Sequence, residues 1–491
     1  MGRAKQLGKN TLLVFIGSFG AKIISFIMLP FYTRWLSVTD YGVVDMISIY
    51  QSLLTDFLTA AISTSIFIFP KGVAFHRQKE YFSSGLIFAF FAFIVAALLF
   101  YIVRSSFNLF SVSNSFTDYT VWIYIMIFIT FIQTYLQQFC RSIDKMYVFT
   151  LIGILLTLCT GIFSFIFIPK NGVYGYLIAM VLSNVVVAIT TFFIAKLYKY
   201  VSLKSFNKVS LKEMLKYSIP TIPNVLMWWV LGSLNRPILE GTVGLSGIGI
   251  LAVAQRFPNA ASLVFSIFGN SWQISVLEEY KMNDFPLFFN RVLAIFSIIT
   301  CLGVLILSYI SDWLVTFIVG NNFLSSSTYI PCLSLALFFL CMNTIISPIF
   351  SAVRKSKYYL YSSIWSAVLT IGLNILLIPL IGIMGACISI VCSHALMTLL
   401  RVKYTLIFVS VYLKEQYLFL GLLAVAFIVA LSIGDSLMFR TMALLVAFLG
   451  VALVIRNFDK RLNIKFLAIK LFKNKIKFRI YMMSRVKTFF L

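Results

Sequence analysis

Apolar residues come in unbroken runs of about twenty along this chain, separated by short polar stretches in which Lys and Arg predominate. A run of that length is what an α-helix needs to cross the ~30 Å hydrocarbon core of a bilayer. The runs lie near residues 11–31, 43–69, 81–103, 119–139, 147–168, 173–196, 214–236, 244–268, 292–311, 328–352, 359–380, 383–405, 416–433 and 437–455. They predict an all-α integral membrane protein of about 14 transmembrane helices. The runs are continuously apolar and do not alternate with period two, which excludes a β-barrel. The first has the length of a full span and no small-residue cleavage site, so it is expected to stay in the protein.

An internal repeat follows from the short connections. Pro169, Gly172 and Gly175 recur as Pro379, Gly382 and Gly385, each set after a run of large aliphatic and aromatic residues. The polar loops before them, Arg141–Tyr147 and Arg354–Tyr359, are also alike. An even number of spans separates the copies, so duplication gives two six-helix lobes of the same orientation, related by a pseudo-two-fold axis along the membrane normal. The expected organisation is a lobe over 1–200, a second over 201–410, two additional transmembrane helices over 411–455, and a basic amphipathic tail over 456–491. The stretch from Lys196 to Lys216 would join the lobes. In the tail, Lys465, Phe466, Lys470 and Phe472 show the alternation of a segment lying on anionic membrane lipids.

Composition agrees: 61% of the 491 residues are hydrophobic and 11% charged. The formal net charge of +25 would suggest nucleic acid in a soluble protein. Here the cations sit at the ends of apolar runs, so they are read as topology, with no nucleic-acid partner. Most fall in the N-terminus, in alternate loops and in the tail, which puts both termini in the cytoplasm. The seven Cys show no CxxC spacing and the two His are far apart, so no metal site is expected. Gly2 to Lys9-Asn10 lacks the spacing and the hydroxyl of a phosphate-binding loop. The longest outer loop, roughly 104–118, leaves no room for a catalytic domain. The residues point to a transporter without a cofactor, an ion gradient or the membrane potential being the available drive.

Charges inside spans carry the chemistry, because an ion at the bilayer centre is costly and normally faces a partner or a cavity. Lys22 falls near the middle of the first span and Asp56 near the middle of the second, with Asp45 nearer its outer end; Lys22 and Asp56 are expected to pair. Arg236 closes the seventh span, and Arg256 lies mid-way along the eighth beside Gln255. Trp228, Trp229 and Trp272 offer indole faces of the kind sugars stack on, although Trp is also the ordinary residue of the membrane interface. Pro220, Pro223 and Pro258 break or kink the seventh and eighth spans.

The run Leu29-Pro30-Phe31-Tyr32-Thr33-Arg34-Trp35-Leu36-Ser37-Val38-Thr39-Asp40-Tyr41-Gly42 resembles the end of the first helix in the polysaccharide flippases of the multidrug/oligosaccharidyl-lipid/polysaccharide exporter superfamily, the Wzx-type O-antigen and capsule translocases. The stretches Ser218–Pro223, Asn235-Arg236, Ala254–Pro258 and Leu373–Pro379 are similar to the same family. The resemblance implies two bundles around a cation-lined cavity in the bacterial cytoplasmic (inner) membrane. It further implies transport of an undecaprenyl-pyrophosphate-linked oligosaccharide, an O-antigen or capsule repeat unit of lipopolysaccharide or polysaccharide biosynthesis, to the outer leaflet. Partners would include the polymerase and chain-length proteins of that pathway. Lys22, Arg34, Arg236 and Arg256 would hold the pyrophosphate, whose roughly two negative charges must cross a low-dielectric slab; Asp56 and Gln255 would line the cavity. Many relatives carry Asp-Arg where this chain has Asn235-Arg236, which weakens any coupling scheme that needs a carboxylate there. Alternatives are a lipid II flippase, a cation-coupled drug antiporter, whose cavity should be acidic, and a membrane polymerase or ligase, which needs a large outer loop.

The charge count makes a direct prediction. Reporter fusions after Lys9, Lys204 and Lys475 are expected to report cytoplasm and a fusion after Asn171 the outer side; a cytoplasmic Asn171 would remove the two-lobe organisation.

Overall fold

The computed structural model describes residues 26–109, 114–412, 414–433 and 436–462, and every regular element among them is a helix. This is the architecture of a multi-pass membrane protein: in hydrocarbon the backbone must satisfy its own hydrogen bonds within each segment. The helices are α1 (Leu29–Trp35), α2 (Val38–Leu58), α3 (Ile62–Ile68), α4 (Phe75–Leu109), α5 (Thr120–Ser142), α6 (Met146–Ile194), α7 (Lys208–Ser218), α8 (Ile222–Ser233), α9 (Asn235–Thr242), α10 (Leu245–Glu279), α11 (Phe285–Tyr309), α12 (Ile330–Ile346), α13 (Lys357–Thr405), α14 (Lys414–Ile433) and α15 (Leu437–Leu462). Each expected span from the second onward falls on one of these helices, on a limb of one or, for the second and seventh, on a broken run of them. Most of the first span, with Lys22, lies outside the described residues, as does most of the tail.

Two of the helices, α6 and α13, are 49 residues long and fold back on themselves. Their reversals are the repeated Pro-x-x-Gly-x-x-Gly segments. Gly172 has φ 52° and ψ −125°, and Gly382 has φ 58° and ψ −133°, a conformation that side-chain-bearing residues avoid. Three residues on, the returning limb meets the outgoing one: a Cβ on Gly175 would lie 2.2 Å from the carbonyl oxygen of Phe167, and one on Gly385 2.4 Å from that of Leu377. The proline ends the first limb, the first glycine turns it, and the second lets the limbs touch. The loops before them also share one geometry, but in a different register from the one the sequences suggest. Asp144 (φ 60°) and Arg354 (φ 56°) are the equivalent left-handed residues, each followed by an amide bonded back five residues, Lys145 to Cys140 and Lys355 to Phe350, both at 2.9 Å. Arg141 and Arg354 are therefore not counterparts.

The second span is broken. Ala60 and Ala61 both take φ 49°, and α2 and α3 meet there at 62°. The left-handed region costs a non-glycine residue roughly 1 kcal/mol, so neighbouring packing has to hold the bend. Ser65 on α3 donates to the carbonyl of Met214 on α7 at 2.7 Å. Thus part of the Lys196–Lys216 linker is a docked helix. Ser210, Met214 and Ser218 recur every four residues and form its buried face, while Tyr81 donates to Glu213 at 2.7 Å.

The chain divides into two compact units, one of Met1–Leu263, Asp312–Tyr329 and Ala367–Ile390, the other of Val264–Ser311, Ile330–Ser366 and Val391–Leu491. Neither is a continuous half of the chain. In the first unit α5 packs along α2, α3 and α6, with Gln51 donating to Thr130 at 2.9 Å. In the second, α11 packs against α12, α14 and α15. Its Asn290 donates to the carbonyl of Ser410 and accepts from the amide of Tyr412, both at 2.7 Å, fixing the connection into α14.

Within the first unit, the beginnings of α2 and α10 touch backbone to backbone. A Cβ on Gly42 would stand 1.9 Å from the Leu245 carbonyl oxygen, and one on Gly249 2.1 Å from that of Val38. Even Gly42→Ala is therefore expected to force the two helix starts apart, at a cost of about 1–3 kcal/mol, the range for overpacking. The check is thermal unfolding of the purified protein; an unchanged melting temperature would show that this contact does not hold the unit together.

Candidate functional site

The run from Leu29 to Gly42 builds one edge of the site, and its residues have separable tasks. Pro30 opens α1, where its missing N–H costs nothing. Thr33 donates to the Leu29 carbonyl at 2.9 Å and accepts from the Gly320 amide at 3.1 Å. Ser37 and Asp40 form a reciprocal capping box that starts α2. Tyr32 bonds Ser164 at 3.1 Å, and Tyr41, 3% exposed, stands edge-on to Phe323.

One helical turn beyond Tyr41 is Asp45, the centre of the charge arrangement. Its carboxylate accepts from Arg236 Nε at 3.2 Å. Arg236 is 4% exposed. Its remaining bonds run from Nη1 to the Gly232 carbonyl and to Asn235 Oδ1, both at 2.8 Å, and from Nη2 to Gln255 Oε1. The adjacent residue on α10 is Arg256, within electrostatic range of Asp45, Tyr41 and Tyr176. Leu251, Ala252, Val253, Ala254 and Phe257 are buried while Arg256 is exposed, so its side chain borders open space while also hydrogen-bonding the Tyr41 side chain. Tyr32 and Tyr176 lie beside it, their ring centroids 5.8 Å apart, and Tyr32 is in electrostatic range of the guanidinium. Two guanidiniums thus share one carboxylate, and the one facing open space carries the excess positive charge.

The other expected site residues fare unequally. Arg236 and Gln255 are present but bonded to each other, so Arg236 works as a tie. The reading of it as a free cation for substrate is corrected by its four hydrogen bonds to protein acceptors. Arg34 is exposed in the last turn of α1 and takes no part in those bonds. Asp56, in the last turn of α2, is eleven residues and so ~16 Å along the helix from Asp45; it is half-buried at the break and has no ion-pair partner among the described residues. Its expected pairing with Lys22 lies outside the described residues. Trp228 is exposed and Trp229 half-buried on α8, and the indole N–H of Trp229 is buried without a partner. Trp272 belongs to the core of the second unit. It is 3% exposed, it donates to the Ile345 carbonyl at 2.8 Å, and its ring is packed among Phe268, Phe288 and Phe289. That packing corrects its assignment as a sugar contact. Asp45, Tyr41 and Tyr176 were not singled out as site residues. For Tyr41 the signal was its place in the Leu29–Gly42 run, and for Asp45 its charge within a span; Tyr176 carried none.

A single α-helical chain of hairpins and broken spans with ionised groups held inside them defines a multi-pass membrane protein. The structure of "Lipid II flippase MurJ, inward closed conformation" is similar at a TM-score of 0.67 and 13% identity, over 91% of this chain and 99% of that one. An inward-facing multidrug resistance MATE family transporter of the MOP superfamily matches at 0.60 and 15%, over 80% and 93%. A MOP superfamily transporter from Pyrococcus furiosus, whose title reports reversed polarity of its binding pocket, matches at 0.57 and 13%, over 81% and 94%. No curated protein sequence matches. The model of the family described as "Polysaccharide biosynthesis protein" matches residues 7–273, and the chain belongs to that family.

The shared carboxylate yields a prediction. Asp45→Asn leaves the buried Arg236 guanidinium without its counter-charge and is expected to destabilise the protein by about 3–5 kcal/mol, the usual cost of breaking a buried pair. Combining it with Arg236→Gln should recover part of the loss. Unfolding of the single and double variants measures the coupling, and strictly additive losses would mean that the two residues do not interact.

Proposed function

We propose that this protein is a flippase. It carries an undecaprenyl-pyrophosphate-linked oligosaccharide, an O-antigen or capsule repeat unit, from the inner to the outer leaflet of the bacterial cytoplasmic membrane by alternating access. The observation that carries this reading is Arg256, a guanidinium about 16 Å along α10 that faces open space while its neighbours are buried. Asp45 is the carboxylate nearest to both it and Arg236, so the local charge is positive and suits an anionic substrate. A drug-cation site would want the opposite sign. Arginine presents a planar fork matched to phosphate oxygens, with charge-assisted hydrogen bonds. Tyr32 and Tyr176 add hydroxyls and ring faces beside it, suited to the first sugar.

Alternating access asks for a seam that opens and closes, and the touching starts of α2 and α10 supply one. With both termini cytoplasmic, that seam lies on the outer side and is shut here, together with the Thr33–Gly320 bond. Glycine-to-glycine contact suits a reversible closure because little side-chain packing has to be undone.

The likeness in fold to a lipid II flippase favours one second reading, lipid II as the substrate, because it presents the same pyrophosphate. Arg256→Ala is expected to cut export of the surface glycan by roughly ten- to a hundredfold at equal protein level, the loss of one charged hydrogen-bonding group at about 1.5–3 kcal/mol. Arg256→Lys keeps the charge without the fork and should retain part of the activity. Unimpaired export by Arg256→Ala would remove the anion-site mechanism. Vesicles containing the purified protein that move lipid II but not the glycan precursor would replace the first substrate with the second.

A further inference from the structure

A further guanidinium, outside the site above, lies in the second unit. Arg401 is four residues from the end of α13 and 2% exposed. Its Nε donates to Ser362 Oγ at 3.2 Å, Nη1 to Ser347 Oγ at 2.7 Å and Nη2 to Ser363 Oγ at 3.3 Å. Its Cζ stands 4.3 Å from the centroid of the Tyr359 ring. The serine protons are committed elsewhere, those of Ser362 and Ser363 to the Tyr359 carbonyl and that of Ser347 to the Asn343 carbonyl. Their lone pairs therefore face the guanidinium.

These acceptors satisfy hydrogen bonds and leave the charge uncompensated. The sequence contains no Asp or Glu between Asp312 and Glu415, so α12 and both limbs of α13 are without a carboxylate. The stretch from Phe285 to Ser311, which includes α11, has none either. The titratable neighbours of Arg401 are Tyr359 and His394, neither of which is an anion at neutral pH. A buried charge in these surroundings calls for a counter-charge from outside the chain.

Asn343 supplies an independent observation. It is 2% exposed, and neither the nitrogen nor the oxygen of its amide has a hydrogen-bond partner. It lies one helical turn before Ser347 on the same face of the chain, and Ser347 is the residue that meets Nη1. A buried amide with unused donors thus lies one turn from the serine that meets the guanidinium, and the three serines take three of the five guanidinium N–H groups, with the Tyr359 side chain as a further hydrogen-bond partner. Buried polar groups in folded proteins are rarely left so. The common remedy for unused donors and excess positive charge is an anion. Arg401 and Asn343 are each 2% exposed, so the anion has to be small, which excludes phosphate esters and lipid headgroups.

We propose that Arg401 and Asn343 hold one small monovalent anion of the halide class, on the guanidinium N–H that Ser347, Ser362, Ser363 and Tyr359 leave free and the amide nitrogen of Asn343. The anion neutralises the guanidinium and so ties the end of α12 to both limbs of α13. The site stands or falls independently of what the protein transports.

The test compares melting of the full-length purified protein in sodium chloride, sodium bromide and sodium gluconate at one ionic strength. Halide at roughly ten times its dissociation constant is expected to raise the melting temperature by about 1–2 °C over gluconate. Arg401→Gln, which leaves no charge to neutralise, and Asn343→Leu, which removes the amide donor, should both lose the response. If Arg401→Gln does not fold, Asn343→Leu and anomalous scattering from bromide at Arg401 in the wild-type protein decide. Melting indifferent to halide, a response that persists in both variants, or water alone at Arg401 would each overturn the proposal.

Discussion

The first unit depends on one carboxylate. Asp45 on α2 receives Arg236 from α9, and Arg236 in turn binds Gln255 on α10, so three helices meet at a single charge pair in a low-dielectric interior. Such a pair contributes little net stability compared with well-packed apolar groups, yet losing one partner is severe. It therefore acts as a constraint on geometry more than as a source of stability. Its effect on the site follows from helix geometry. Gln255 and Arg256 are adjacent and project about 100° apart around α10. With Gln255 held against Arg236, Arg256 is turned to open space.

Duplication explains how the surrounding scaffold is made, and also where it diverges. The two Pro-x-x-Gly-x-x-Gly reversals share dihedral angles to within about ten degrees because a helical hairpin of touching limbs has few solutions. The shared left-handed residue before them is Asp144 in one copy and Arg354 in the other. Backbone geometry has been kept while side-chain charge has not. The second copy keeps no acid from residue 313 to 414, whereas the matching stretch of the first, residues 103 to 204, keeps Asp118 and Asp144.

The spans were legible because hydrocarbon leaves the chain almost no other choice, and the hairpins were legible because only glycine serves at their turns. The run from Leu29 to Gly42 was legible as a unit, and the structure supplies the reason: capping box, buried tyrosine and close-approach glycine are consecutive there. Pairings across the chain were less so. Arg236 looked like an available cation because the sequence does not place Asp45 beside it. Trp272 looked like Trp228, since an indole committed to the Ile345 carbonyl and one exposed on α8 have the same letter. The linker's lysines concealed the four-residue spacing of Ser210, Met214 and Ser218. Arg401 near the end of its span has the look of a topological charge in the sequence, as cations there usually are.

Arg256 and Arg401 show why a cation within a span does not by itself identify a substrate site. Both are cations inside helices, and neither has a carboxylate of its own. Arg401 is enclosed by three hydroxyls and an aromatic face, so anything that binds it must be small and resident. A pyrophosphate with a sugar attached could not reach it without taking apart the packing of α12 against α13. Arg256 borrows part of the field of Asp45 and is otherwise open, an arrangement that would be wasteful in a fixed structure because the charge is neither fully solvated nor fully paired. It becomes economical if a second anion arrives and leaves during each cycle, since Asp45 then keeps the empty site tolerable without saturating it. The distinction between a charge that holds the protein together and one kept free for a ligand thus rests on the space beside it, a property that emerges only once the helices are packed.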